Sequence, residues 1–211
     1  MATKATEKKK KKKRRKTRAK RKKVVHLLRV ETTTEREKGK FLLFVSYFAV
    51  SFSGVGAMRP GDYMVHVFVE KLKEINMPKG NDTADPMIVI ESLGQKKYSS
   101  AKDNISPTAE VVYSEHIFLE APGVEKEDAE CGKIMIKLMD KGFLKDVLIG
   151  QFEFDLSFIY FKKNNTLLHK WLALSNPNGE DYAKIQAYLK VSINVTCQGD
   201  DMTEITDDDA L

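Results

Sequence analysis

Apolar and polar residues alternate along most of the second half of the chain. In GDYMVHVFVEKL (61–72), Tyr63, Val65, Val67 and Val69 fall on one face and Met64, His66, Phe68 and Glu70 on the other. That period of two is the signature of a β-strand with one buried side. Further strand-like runs are PMIVIESL (86–93), QKKYSS (95–100), SEHIFLE (114–120), GKIMIKLMD (132–140), LIGQFEFDL (148–156), HKWLAL (169–174) and QAYLKVSINV (186–195). Turn-forming clusters at 78–85, 103–107, 122–123 and 176–179 separate them. Residues 123–131 and 157–164 each suit one helical turn, and no 3.6-period run is long enough for a framework helix. Eight short strands at this spacing predict an all-β fold, an eight-stranded antiparallel sandwich over residues 59–199. Trp171, large and apolar, is expected as a core anchor of the seventh strand.

The flanks differ in kind. Residues 1–23 hold 15 Lys/Arg and one acid, which leaves 21 bases against 29 acids in the remaining chain. The formal net charge of +6 therefore belongs to a tail, and the domain itself is acidic. That balance argues against nucleic-acid binding by the domain. Residues 1–40 lack the apolar surface to offset the entropy of ordering and are expected to be disordered. Such a basic run suits a nuclear-localisation signal, a nucleic-acid tail, an electrostatic anchor for anionic lipid, or a solvated leader. Residues 41–58, FLLFVSYFAVSFSGVGAM, carry no charge and reach the lower limit of a single membrane span. A packed strand pair fits the same composition. Residues 200–211 form an acidic tail.

Two cysteines, Cys131 and Cys197, are too few for a disulfide framework or a thiolate zinc site, and are expected as free thiols. The four histidines form no metal-ligand pair at helical spacing. No nucleophile elbow, phosphate loop, zinc-protease helix or dinucleotide turn occurs, so no enzymatic activity is expected.

Three stretches, MPKGNDTADPMIVI (77–90), IMIKLMDKGFLKDVLIGQFEFDL (134–156), and HKWLALSNP followed by QAYLKVSINV, resemble C2 domains. The combination DVLIGQFEFDLSFIY, HKWLALSNP and QAYLKVSINVTCQGD is most similar to the second C2 domain of ferlins. The resemblance implies a membrane-binding sandwich whose calcium ligands lie on two neighbouring loops. Its pattern falls on Asp85, Asp140 and Asp146, with Asp82 as a fourth carboxylate. Two of the family's acidic positions are Lys79 and Gly142 here. A hard cation wants six to eight oxygens, so calcium binding is expected to be weak or absent.

The resemblance also points to Lys96, Lys97 and Lys102 as a basic face for lipid head groups, and Phe143 and Leu144 stand at the apex of the second loop. The expectation is a phospholipid-binding module of membrane trafficking or fusion. Its partner is an anionic membrane on the cytoplasmic face. The alternative is a non-catalytic scaffold for protein partners, directed to the nucleus by its basic tail.

Overall fold

The computed structural model describes residues 28–30, 46–48, 57–77, 81–179 and 184–206. Strands β1 (Leu28–Val30) and β2 (Ser46–Phe48) pair antiparallel with each other. The domain proper runs through β3 (Gly61–Lys73), β4 (Pro86–Ser92), β5 (Gln95–Tyr98), β6 (Val111–Val124), β7 (Lys133–Asp140), β8 (Val147–Asp155), β9 (Thr166–Ser175) and β10 (Ile185–Cys197). Two short helices, α1 (Lys126–Cys131) and α2 (Leu156–Tyr160), sit in the connections before β7 and after β8. All eight expected strands form, within a few residues of their expected bounds. The expected helical turns are α1 and α2.

The strands run in the order β5-β4-β7-β8-β9-β10-β3-β6, every pairing antiparallel. Between β8 and β9 the ladder narrows to one pair, Gln151 with Ser175, so the order divides into two four-stranded sheets. This is the C2-type antiparallel sandwich. Period-two burial builds its core: Val65, Val67 and Val69 from β3 meet Ala187, Leu189, Val191, Ile193 and Val195 from β10. The other sheet supplies Ile88, Ile90, Ile134, Ile136 and Leu138. Each such fully buried aliphatic side chain contributes roughly 1.5–3 kcal/mol. β4 and β5 join through Leu93 (φ 47°) and Gly94 (φ 76°), the left-handed pair that a two-residue hairpin with right-handed twist requires.

Two features depart from the sequence expectation. Trp171 is only half-buried and lies under the Lys73 ammonium, 4.8 Å from the ring centroid. It faces outward because the register pairs it with Lys190, and the neighbouring inward positions go to Leu172 and Leu174. Conversely, the polar face of β3 is not solvated. His66, Phe68 and Glu70 are all buried, at 6 %, 2 % and 1 % exposure. His66 stacks on Phe118 (4.2 Å) and Phe68 on His116 (4.3 Å), and His66 Nε2 lies 2.9 Å from His116 Nδ1.

Most of residues 41–58 lies outside the described residues. No helix among the described residues is long and apolar enough to cross a membrane. Both cysteines are free, Cys131 exposed and Cys197 buried.

Burial, and then the neighbouring His116, push the His66 imidazole down to about 4 from its usual 6.5. Between these two values the unfolded chain binds the proton and the folded one does not. His66 therefore leaves stability intact above about pH 6.5 and erodes it as pH falls toward 4. Urea unfolding at pH 7 and pH 5 should show a loss for the parent chain that is smaller in His66→Phe. Equal losses in the two chains would remove His66 as the cause.

Candidate functional site

The loops that precede β4 and β8 meet at one end of the sandwich because Pro86, at the head of β4, pairs with Asp140, at the foot of β7. Side chains then fasten the junction. Asp140 Oδ1 accepts the Asp85 backbone N–H at 2.8 Å, and the Lys141 N–H returns to the Asp85 carbonyl at 3.0 Å. Asp85 Oδ1 accepts the Asn104 N–H at 2.7 Å, which draws the β5–β6 connection into the same knot. Asp146 Oδ1 accepts the Gly142 N–H at 3.3 Å across its own turn. Asp82 is exposed at the rim. Lys79 lies outside the described residues.

Asp85 and Asp140 are thus brought together, and Asp146 closes the adjoining loop. A calcium shell needs several carboxylates with their oxygens turned to a common point. Here one oxygen of each of Asp85, Asp140 and Asp146 holds a backbone N–H. Among the described residues no three His, Cys, Asp or Glu side chains gather as a metal-holding group. The arrangement is that of loop staples, and it does not fit a full calcium shell.

At the tip of the β7–β8 loop, Phe143 is fully exposed and Leu144 is 92 % exposed. Lys141 and Lys145 flank them, both exposed. Two uncovered large apolar side chains side by side oppose ordinary surface composition and mark an interaction site. β5 carries the basic residues expected there. Lys96 lies 3.2 Å from Glu91 and over the Tyr98 ring, whereas Lys97 is exposed with no ion pair among the described residues. Glu91 is held below the usual carboxylate range, first by its hydrogen bond from Lys137 and further by Lys96. Lys102 stands apart from these, 3.9 Å from Glu115 and over the Tyr113 ring. The three lysines therefore line the β5 edge and its exit, with Lys97 the least committed.

Sequence reasoning missed a polar cluster on the outer face of the other sheet. Glu70 drops out of register with both neighbours, between Val69 and Lys71 against β6 and between Lys190 and Val191 against β10. Its buried carboxylate meets Lys190 Nζ at 3.2 Å, Ser192 Oγ at 2.9 Å and His169 Nδ1 at 3.1 Å. His169 itself has a left-handed φ of 51° within β9 and donates its N–H to Ser192 Oγ. The available signal was an acid interrupting the run VHVFVEKL. Ser192, His169 and Glu70 are not a nucleophile relay. The serine donates to the carboxylate, and both approach the same ring nitrogen, whereas a relay needs them on opposite ones.

No protein-family model matches the chain. It is 25 % identical over 144 residues to myoferlin of Xenopus tropicalis and 24 % identical over the same length to myoferlin of Homo sapiens. Those alignments cover 68 % of this chain but only 7 % and 6 % of the relatives, so the chain spans a small fraction of their length. Among solved structures it is similar to the C2A domain of a plant extended synaptotagmin 1 (16 % identity, TM-score 0.46, 70 % of this chain and all of that one). It is also similar to the calcium-bound C2A and C2B domains of extended synaptotagmin 2 (14 % identity, TM-score 0.48, 65 % of this chain and 44 % of that one).

The turn after β7 resists restoring the missing acid. A Cβ added at Gly142 would stand 2.2 Å from the Lys145 carbonyl oxygen, a backbone atom that cannot yield without reshaping the loop. Gly142→Asp should therefore lower stability by about 1–3 kcal/mol in denaturant unfolding. Calcium should not raise the melting temperature of that variant above the parent's. A calcium-dependent rise would show that the loop rearranges into a cation site.

Proposed function

We propose that this C2 domain, close to those of the ferlins, docks on anionic phospholipid membranes with little or no requirement for calcium. The observation that supports it most is the bare Phe143–Leu144 pair set between Lys141 and Lys145 on a stapled loop. An apolar tip between cations suits the boundary between acyl chains and anionic head groups. Removing Phe and Leu side chains from water contributes roughly 1.5–3 kcal/mol each. Each lysine near an anionic leaflet adds about 1 kcal/mol, screened within ~8 Å at physiological salt.

Lys96, Lys97 and Lys102 provide a second, lateral basic contact, weaker because Lys96 and Lys102 already face Glu91 and Glu115. The polybasic segment at 1–23 adds a long-range attraction to the same surface. Asp85, Asp140 and Asp146 serve the loop's shape first, and any calcium they hold together with Asp82 is weakly bound. On this reading the protein works in membrane trafficking or fusion at a cytoplasmic leaflet, as a binding module without catalysis.

Flotation with vesicles containing phosphatidylserine tests this, in calcium and in chelator. The full chain should float in both, and Phe143→Ala with Leu144→Ala should weaken binding by about a hundredfold or more. Lys97→Ala should weaken it by a few-fold. Flotation unaffected by the tip variants, or absent without calcium, would overturn the reading. Absence under every condition would favour the protein-interaction scaffold.

A further inference from the structure

Opposite the loop tip, where β3 begins and β10 ends, the surface opens into a cleft of about 400 Å³. Its lining mixes apolar side chains, Met64, Pro122 and the exposed Met202, with the carboxylates of Asp62, Glu120 and Asp200. Arg59 pairs with Asp200, and Asp200 Oδ2 accepts the Cys197 N–H at 2.9 Å, so that acid is neutralised and held in place. Asp62 Oδ1 accepts the Gly123 N–H at 2.7 Å, and Asp62 forms no ion pair among the described residues. Glu120 is exposed and forms no ion pair among the described residues. The same is true of Asp201 and Glu204, which adjoin the lining residues Asp200 and Met202 in the chain. Apolar side chains interspersed with carboxylates are matched to lysine and arginine, whose stems are aliphatic and whose ends are charged.

We propose that this cleft takes the chain's own basic segment, residues 8–23. Charge complementarity argues for that occupant: KKKKKKRRKTRAKRKK holds no acid, and the rest of the chain is the acidic partner. Reach permits it. The chain enters the domain at Arg59, paired with the lining residue Asp200, and the Leu28–Phe48 pair of the β1–β2 ladder sets those two residues side by side. Roughly 14 linking residues outside that ladder still span ~45 Å when extended. The bound segment would lie at the end of the sandwich away from Phe143 and Leu144. An anionic bilayer then competes with the cleft for the same lysines, a consequence that rests on the membrane reading. The docking itself does not rest on it.

Amide NMR spectra of the full chain and of the chain lacking residues 1–23, without lipid, test the docking directly. Differences should fall at residues 62–64, 120–122 and 196–202, stay the same at two protein concentrations, and vanish in ~1 M salt, where the Debye length is ~3 Å. The surface variant Glu120→Gln/Asp201→Asn/Glu204→Gln should reduce them several-fold. No difference, or differences centred on another face, would overturn the proposal. Differences that grow with concentration would also overturn it, by assigning the cleft to the tail of a second copy. Vesicle binding plays no part in these measurements, so failure of the membrane reading leaves the docking result interpretable.

Discussion

The pairing of the domain's first strand with its last holds this structure together. β3 and β10 run side by side through ten residue pairs, from Tyr63–Cys197 to Lys73–Tyr188, in the middle of their sheet. Nothing local brings these strands together, since over a hundred residues separate them. The ladder forms only when the valines of β3 and the aliphatic residues of β10 bury their faces jointly against the other sheet. Once it exists, entry and exit of the chain lie at one end and the β3–β4 and β7–β8 loops at the other. The acidic cleft and the apolar tip are therefore separated by the length of a strand. Two chemistries that would oppose each other if adjacent can each act without the other.

Period two made the strands legible, and it did so best where one face is apolar and continuous, as in β3, β7 and β10. Edges blurred where the pattern lost contrast. β6 extends to Val111–Val124 because paired backbone continues beyond the apolar core of SEHIFLE. Strand parity sets Trp171 outside, where side-chain size alone had suggested the interior. The same rule treated the second face of β3 as solvent-facing, yet His66 and Phe68 stack there with Phe118 and His116 across the strand. Alternation reports that two faces differ. It does not report whether the polar one is also covered.

The loop residues were legible in identity but not in use. Asp85 and Asp140 stand where resemblance places cation ligands, and the fold brings them into contact. Their oxygens, however, satisfy backbone N–H groups that would otherwise be left open at a strand end. Only coordinates distinguish a carboxylate aimed at an ion from one aimed at an amide. The Glu70 cluster was hidden for a related reason. It depends on irregularities in β3, β9 and β10 lying side by side, and a bulge carries little sequence signature without glycine.

The geometry of the β3–β10 ladder has a mechanical corollary. Both strands leave the sandwich at the same end, so a pull applied between Gly61 and Cys197 acts across the hydrogen bonds and loads them one at a time, from Tyr63–Cys197 inward. A ladder loaded that way opens like a zipper, at lower force than one sheared along its length. Tension between the flanking segments would therefore peel the domain from its ends, while tension between the ends and a loop anchored in a bilayer would run along the strands. The same domain is compliant to one direction of force and stiff to the other.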